Sequence, residues 1–525
     1  MFSFFEKLIK PFPSQEPDQP PKGVLAFCRH YSRGIEVPLL LMAVLTATVA
    51  MLEVSLFSFM GELVEWLATK DKETFWAEEK DTLISMGIIV LIALPCLVLL
   101  HAAIVHQTLL SNYPMIIRWL AHRYLLKQSL GFYQDEFAGR IATKVMQTSL
   151  AVRETVMKLL DVMVYVVVYF LSMLFIVAQA DVRLMVPLLV WLILYIVLQY
   201  YFVPKLKAVS TVQADARSTM TGRIVDSYSN IATVKLFSHT QREADYAQQG
   251  MQGFLSTVYQ QMRLATGLNV SIQALNYLLL FVIAALSIFL WQESAIGIGA
   301  ITIAITLALR LNGMAQWIMW EVSALFENIG TVIDGMKTLS QPLQVTDQEG
   351  ALPLVVEHGD IEFCKMNFSY AMANKEGVIS QKRIIKDLNL NIKVGEKVGL
   401  VGRSGAGKST LVNALMRFYD LESGSVKIDG HDISQVQQES LRANIAMVTQ
   451  DTSLLHRSVR ENILYGRPDA SEEDLQQAIN KAEAHEFILG LADLAGNTGL
   501  DAQVGERGVK LSGGQRQRIA IARVL

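Results

Sequence analysis

The run Leu188–Leu198 (LLVWLILYIVL) has no polar face, and it belongs to one of six long apolar stretches in the first two thirds of this chain. A helix that is apolar all round is buried in a large core or in a membrane. Roughly 20 mostly apolar residues are enough to cross a bilayer. The sequence therefore predicts six membrane-spanning helices, at about 37–60, 82–106, 159–179, 183–204, 268–291 and 297–320.

Composition divides the chain into an apolar part and a part typical of a soluble domain. Hydrophobic residues make up 52% of the 525 residues, and the excess lies before about residue 325. The net charge of −3 argues against nucleic-acid binding. Cys28, Cys96 and Cys364 are far apart in sequence, which predicts neither a disulfide framework nor a zinc site.

Loop charges predict the orientation in the membrane. Residues 61–81 carry three lysines and seven acidic residues, whereas 107–158 carry seven basic and three acidic residues, and 205–267 carry seven and four. Basic segments tend to stay in the cytoplasm. Both termini and both long basic loops are therefore expected inside. The apolar residues within 116–129 and 212–237 predict that helices continue beyond the membrane.

The ends of the membrane part have their own signals. Residues 1–21 contain five prolines and no continuous apolar core, which predicts a flexible cytoplasmic tail and no cleavable signal peptide. Residues 22–33 are predicted to form a short amphipathic helix at the inner membrane surface. The membrane domain is predicted at 22–330, followed at 331–354 by a linker that contains Pro342, Gly350 and Pro353.

Two ionisable residues interrupt the apolar stretches, Glu53 in the first and Arg310 in the sixth. A charge inside a bilayer usually faces a cavity or a partner. Two interpretations stay open: these residues line a substrate path, or they lie near a helix end or bond to a neighbouring helix. The same two interpretations apply to the amides in the last two stretches, Gln273, Asn276, Asn312 and Gln316.

The glycine-rich run Val401–Thr410 (VGRSGAGKST) carries a specific chemical signal. It lies between a predicted strand, Lys397–Val401, and a predicted helix, Ser409–Phe418, and has the full spacing of a phosphate-binding loop. In such loops, backbone N–H groups and the helix N-terminus bind phosphates. The lysine reaches the outer phosphates, and the following serine ligates Mg²⁺. The predicted nucleotide-binding residues are Gly402, Ser404, Gly405, Ala406, Gly407, Lys408, Ser409 and Thr410.

A second motif, Leu511–Gln515 (LSGGQ), follows about a hundred residues later. The two motifs and the six stretches make the chain resemble an ABC transporter of the exporter type, a half-transporter with fused membrane and ATPase domains. The resemblance extends from about residue 22 to Leu525. It implies an α-helical six-span transmembrane domain followed by an α/β P-loop NTPase domain, predicted at 355–525.

The resemblance also implies roles for single residues. Gln450, in the sequence VTQD, resembles the Q-loop glutamine that ligates Mg²⁺, and with Lys408 it is the implied catalytic side chain. Tyr370 resembles the aromatic residue that stacks on adenine. The signature residues act on ATP held by the opposite subunit, and here they are Ser512, Gly513, Gly514 and Gln515.

Three further segments resemble family loops that connect the two domains. Val504–Gly508 resembles the exporter-type loop that touches the membrane domain. Residues 132–140 and 229–237 resemble the two inner loops that dock on the ATPase domain.

The function implied by the resemblance is ATP-driven export by alternating access across a bacterial inner membrane. ATP and Mg²⁺ are the implied cofactors. The implied partners are membrane lipid and a second half-transporter, identical or different. The apolar spans suit an amphipathic small molecule or a lipid as cargo, and peptide export stays open.

The chain departs from the family pattern after the signature. The family next has an apolar strand ending in Asp-Glu and then a histidine, and neither lies between the signature and Leu525. We therefore expect a truncated ATP-binding domain, unstable and with little ATPase activity. The alternative is a non-hydrolysing nucleotide-binding membrane protein, or the regulatory half of a heterodimer. The intact P-loop and signature favour a fragment of a working exporter.

Overall fold

The computed structural model describes residues 2–135, 138–373, 379–449, 452–505 and 509–525. These residues form two compact units. The membrane unit comprises Met1–Lys127 and Glu136–Pro342, and the nucleotide unit comprises Gln128–Asp135 and Leu343–Leu525.

The six predicted apolar stretches all lie within long helices of the membrane unit. We number these spanning helices 1 to 6: Glu36–Thr69, Phe75–Leu126, Gly139–Ala180, Val182–Ser229, Thr240–Gln292 and Ile298–Leu339. The fifth has 53 residues, which makes it roughly 80 Å long at 1.5 Å per residue. The hydrocarbon core of a bilayer is only about 30 Å thick. The prediction that helices continue beyond the membrane is therefore confirmed.

Spanning helices 2 and 3 are interrupted by π-helical turns. Two of these turns, Ile89–Ala93 and Ala103–Leu110, lie in spanning helix 2, and Lys158–Val162 lies in spanning helix 3. A 3-10 turn, Val182–Leu184, opens spanning helix 4. The α-helical segments of the membrane unit are Phe2–Glu6, Val24–Tyr31, Glu36–Thr69, Phe75–Ile88, Leu94–Ala102, Ser111–Leu126, Ala138–Met157, Met163–Ala180, Met185–Ser229, Ile231–Leu236, Thr240–Gln292 and Ile298–Leu339.

Side-chain amides join three of the spanning helices. Trp191 donates its indole N–H to Asn276 at 2.9 Å, and Asn276 donates to Asn312 at 2.9 Å. These residues lie on spanning helices 4, 5 and 6, within a core whose buried residues include Met173 and Leu307. Asn276 and Asn312 therefore bond to neighbouring helices, which is one of the two interpretations of the sequence.

The prediction of a flexible tail at residues 1–21 is wrong. Residues Phe2–Glu6 form a helix, and Phe5 and Ile9 are buried. The hydroxyl of Thr108, on spanning helix 2, donates to the Phe5 carbonyl at 2.8 Å. Val24–Tyr31 is helical, so the predicted helix at 22–33 is confirmed.

Backbone carbonyls explain why the proline-rich part of this tail is held in place. Trp119 donates to the Pro13 carbonyl at 3.0 Å, and Arg123 donates to the Gln15 carbonyl at 2.7 Å. Ser340, directly after spanning helix 6, donates to the Pro21 carbonyl at 3.1 Å. Proline removes a backbone donor but leaves the carbonyl acceptor, so a segment rich in proline still forms these bonds.

The described part of the nucleotide unit contains one antiparallel sheet with the strand order β2-β1-β3-β4. Its strands are β1 (Ile361–Ala373), β2 (Ile379–Ile392), β3 (Ser423–Ile428) and β4 (His431–Asp432). The helices are Leu130–Asp135, Lys408–Leu415, Gln438–Ala443, Val459–Leu464, Glu472–Lys481, His485–Leu489, Gly513–Val524 and the 3-10 turn Gly499–Asp501.

The local predictions around the two motifs had different outcomes. The helix predicted at Ser409–Phe418 forms as Lys408–Leu415, and the helix after the signature forms as Gly513–Val524. The predicted strand Lys397–Val401 is wrong, because this segment is irregular and Val401 is 99% exposed. A buried strand needs hydrogen-bonded neighbours, and none of the described strands pairs with this segment.

Asp429 fastens the edge of the sheet to the chain that enters it. Its carboxylate accepts the backbone N–H groups of Glu357, His358, Gly359 and Asp360 at 2.8–2.9 Å. These bonds, that of His358 first, lower the pKa of Asp429 to about 2. Asp429 and Gly430 both have positive φ angles in the turn between β3 and β4.

We expect Asp429→Asn to lower the melting temperature of the nucleotide unit at neutral pH, because an amide nitrogen then faces backbone donors. The wild-type carboxylate has a folded-state pKa of about 2, below its ordinary value of 3.8. Its contribution is therefore present above pH 3.8 and is lost as the pH falls toward 2. Thermal unfolding followed across this pH range measures the difference between the two proteins.

Asp469→Asn, at an exposed position, is the matched control and should leave the melting temperature unchanged. A difference between wild type and Asp429→Asn that stayed constant down to pH 2 would contradict this account.

Candidate functional site

The glycine-rich loop has a backbone shape that requires glycine at two positions. Gly405 and Gly407 have φ angles of +81° and +91°, in the left-handed region that side chains disfavour. A Cβ atom at Gly407 would also lie 3.1 Å from Cγ2 of Ile384 on β2. The strand and the loop therefore fix the path of the chain into the helix Lys408–Leu415.

The loop offers a set of donors that fits a polyphosphate. Ser404, Gly405 and Ala406 are exposed. Among the described residues, none accepts a hydrogen bond from the backbone N–H of Ser404, Gly405 or Gly407. The Lys408 ammonium donates to the carbonyls of Gly402 at 2.8 Å and of Arg403 at 3.1 Å. The positive charge and the N–H groups thus lie on one loop at a helix N-terminus, an arrangement suited to anions.

Tyr370 lies beside the helix that follows the loop. Its hydroxyl donates to the Thr410 hydroxyl at 3.4 Å. Its half-buried ring packs edge-on against Phe368 and Tyr419, with centroid distances of 4.9 and 5.2 Å. The Thr410 side chain is buried and is engaged with Tyr370, whereas Ser409 is exposed. The sequence alone gave no signal for Phe368 and Tyr419, because single aromatic residues are common in any core.

The signature begins a helix whose first turn is exposed. Ser512 caps the helix: its Oγ accepts the Gln515 N–H at 3.2 Å, and its own N–H donates to Gln515 Oε1 at 2.9 Å. A Cβ atom at Gly513 or Gly514 would have no neighbour within 4 Å. The cap therefore uses both polar side chains of the motif, and the glycine backbone is left open to an approaching anion.

The two motifs rest on separate hydrophobic clusters of the nucleotide unit. Ala414, on the helix after the P-loop, is buried with Phe363 and Val426 of the sheet. Ile519, on the signature helix, is buried in another cluster with Leu475. Each motif is therefore stabilised by its own hydrophobic cluster.

Two predicted sites lie outside the described residues. Gln450 is one, and Glu506, Arg507 and Gly508 of the exporter-type loop are the other. The beginning of that loop is described: Val504 donates its N–H to the Arg457 carbonyl at 3.0 Å.

The two intramembrane charges lie close to each other in the membrane unit. Arg310 Nη2 is 3.9 Å from Oε2 of Glu53, and the same oxygen accepts the Tyr165 hydroxyl at 2.6 Å. Arg310 also lines a cavity of about 410 Å³. Glu53 therefore bonds to a neighbouring helix through Tyr165, and Arg310 lines a cavity, while a substrate path stays a prediction.

The cavity contains polar residues that the sequence analysis missed. Thr46 and His101 both contact the carboxylate of Asp161, and His101 Nε2 lies 3.1 Å from Oδ1. Asp161 lies in the predicted third stretch and His101 in the second. An ionisable residue within an apolar stretch is the sequence signal that would have identified both of them.

We expect Gly407→Ala to destabilise the nucleotide unit by about 1–2 kcal/mol, the usual cost of a side chain in the left-handed region. It should also weaken nucleotide binding, because the loop must shift away from Ile384. Thermal unfolding and fluorescent-nucleotide titration measure the two effects. Gly399→Ala is the matched control, since a Cβ there meets nothing within 4 Å. Equal behaviour of the two variants would refute this account of the loop.

Comparison with known proteins agrees with this geometry. Residues 385–525 match the family model described as ABC transporter, and residues 39–314 match the ABC transporter transmembrane region. A solved structure of a bacterial Atm1-family ABC exporter with ATP bound has a similar fold, with a TM-score of 0.76 and 23% identity. The similarity covers 94% of this chain and 83% of that one.

Two relatives are similar in sequence over most of their lengths. An uncharacterised ABC transporter ATP-binding protein of Haemophilus influenzae is 51% identical over 526 residues, which cover 100% of this chain and 84% of the relative. A Staphylococcus aureus protein, named as a candidate multidrug export ATP-binding/permease protein, is 30% identical over 78% of this chain and 68% of its own length. The chain thus belongs to the ABC transporter family, as a multi-pass exporter with transmembrane and ATP-binding domains in one polypeptide.

Proposed function

We propose that this protein uses ATP to export an amphipathic small molecule or a lipid across the bacterial inner membrane, as a dimer of half-transporters. The observation that carries the proposal is the pair of N–H donor sets, at Ser404, Gly405 and Gly407 and at Gly513–Gly514, on separate clusters of one nucleotide unit. Family membership supports ATP-driven transport, and the finer assignments below are ours.

ATP binding is assigned to the loop and the residues around it. The N–H groups of the loop hold the phosphates, and Lys408 exchanges its two carbonyl partners for phosphate oxygens. The exposed Ser409 hydroxyl is a suitable Mg²⁺ ligand. We assign adenine stacking to Tyr370 and a second Mg²⁺ contact to Gln450. The remaining ATP contacts are assigned to Gly402, Ala406 and Thr410.

The open signature explains why a dimer is proposed. Its exposed glycines and helix N-terminus suit a phosphate, and the resemblance implies that this phosphate belongs to ATP on the other subunit. A two-fold dimer would then hold two ATP molecules, each between Lys408 of one subunit and Ser512–Gln515 of the other.

The charges of the long loops support the orientation in the membrane. The basic segments 107–158 and 205–267 favour the cytoplasm, which puts the nucleotide unit on the side that contains ATP. We keep the domain assignment of 22–330 for the membrane domain, 331–354 for the linker and 355–525 for the ATP-binding domain.

The name of the Staphylococcus aureus relative supports an amphipathic cargo, and its 30% identity supports the analogy.

A mixing experiment tests whether the ATP sites are shared between subunits. Lys408→Ala and Gly514→Asp should each lower the ATPase rate of the natural full-length protein by about 100-fold, the scale on which single transition-state contacts act. Gly514 has open space at its Cβ position, so its variant should fold. The readout is phosphate release after co-reconstitution of the two variants.

A shared site predicts recovery on mixing. About half of randomly formed dimers contain one copy of each variant and thus one intact site, which gives roughly a quarter of the wild-type rate. Sites made by single subunits predict no recovery. Loss of ATP-dependent efflux from proteoliposomes in either variant, with efflux retained in Gly399→Ala, links hydrolysis to transport.

A further inference from the structure

A cavity in the membrane unit lies between spanning helices 1, 2, 3 and 6. Its volume of about 410 Å³ is in the range of small-molecule sites. One part of its wall is apolar and includes Val49, Val98, Met314 and Trp317. The other part carries both signs of charge, through Arg310 and Asp161. The cavity is therefore amphipathic and sized for a small organic molecule.

Arg310 has donors to spare on the cavity side. Its side chain is 48% exposed, and its ion pair with Glu53 is long at 3.9 Å. The hydroxyls of Tyr165 and Tyr169 also lie near the guanidinium, but this group has five N–H donors and stays charged, so donors remain for a ligand. Glu53 is already bonded to Tyr165 at 2.6 Å. An anion in the cavity would find a planar fork suited to a carboxylate or phosphate.

Asp161 presents the opposite charge to the same cavity. It lies on the π-helical turn Lys158–Val162, a distortion that often marks functional positions. Its Oδ1 is bonded to Thr46 and His101, while Oδ2 has no hydrogen-bond partner among the residues whose positions are given. The second oxygen is therefore available to a cationic donor.

We infer that this cavity binds a small amphipathic zwitterion. The anionic group of the ligand bonds to Arg310, its ammonium group bonds to Asp161, and its apolar part contacts Val49, Val98 and Trp317. A ligand with a single charge would meet one partner and would be repelled by the other charge in a medium of low dielectric constant. The inference deepens the proposed export function by naming a class of cargo.

The test is equilibrium binding, which requires neither hydrolysis nor transport. The natural protein is placed in phosphatidylglycerol nanodiscs without nucleotide, and calorimetry measures three matched probes. These are the dipeptide phenylalanyl-leucine, its cationic methyl ester and its anionic N-acetyl derivative. The wild type should bind the dipeptide about tenfold more tightly than either derivative. Equal affinities for the three probes would overturn the inference.

Two variants assign each charge to its partner. Arg310→Gln should weaken dipeptide binding about tenfold and strengthen binding of the cationic methyl ester, because the charge that repels the ester is gone. Asp161→Asn should weaken dipeptide binding and strengthen binding of the anionic N-acetyl derivative for the same reason. Equal weakening of all three probes by either variant would contradict the inference. If Arg310→Gln does not fold, Arg310→Lys keeps the charge and should keep the preference for the dipeptide, with a lower affinity.

Arg183→Gln is the matched control. Arg183 is exposed to a similar extent, 51%, and is paired with Asp181 and Glu293. This variant should leave the affinities for all three probes unchanged.

Two further comparisons identify the source of the ligand and separate this inference from the proposed function. Phosphatidylethanolamine carries both charges in its headgroup, so competition by this lipid identifies a lipid headgroup as the source, and no competition identifies a soluble molecule. Binding without ATP-dependent efflux from proteoliposomes would remove the proposed function and keep the zwitterion site. Efflux of other compounds without dipeptide binding would keep the proposed function and remove the zwitterion site.

Discussion

The requirement that determines most of this structure is that backbone N–H and C=O groups in hydrocarbon must bond to each other. Within the bilayer only helices and closed barrels meet this requirement, and six apolar runs of helical length leave the helix as the solution. The long helices then continue into water, where Met185–Ser229 has polar residues at most positions after Lys205. The hydrogen-bonding requirement inside the membrane thus also determines the direction in which these helices extend outside it.

Local sequence predicted the features that depend on local geometry. The spacing of Gly402, Gly407 and Lys408 specifies a loop before a helix, and the structure has that loop with positive φ angles at Gly405 and Gly407. The absence of a strand at Lys397–Val401 could not be predicted in the same way. The apolar residues of this segment suit a strand, but a strand also needs partners, and pairing depends on residues far away in sequence.

Some residues of the membrane cavity could be predicted from the sequence, but their arrangement could not. Glu53 and Arg310 were recognised as costly charges within apolar stretches. Their 3.9 Å approach, however, depends on how spanning helices 1 and 6 are rotated about their axes. Asp161 lies on the π-helical turn Lys158–Val162 of spanning helix 3, and no pattern in the sequence indicates a π turn. The positions of Asp161 and His101 in one wall therefore required the structure.

The N-terminal segment has a consequence for the order of events during synthesis. Gln19 donates to the carbonyl of Ser340, which is translated 321 residues later. At a synthesis rate of roughly 5–20 residues per second, the segment waits on the order of 16–64 s for that partner. The hydrogen bond between Gln19 and Ser340 can therefore form only after spanning helix 6 has been synthesised.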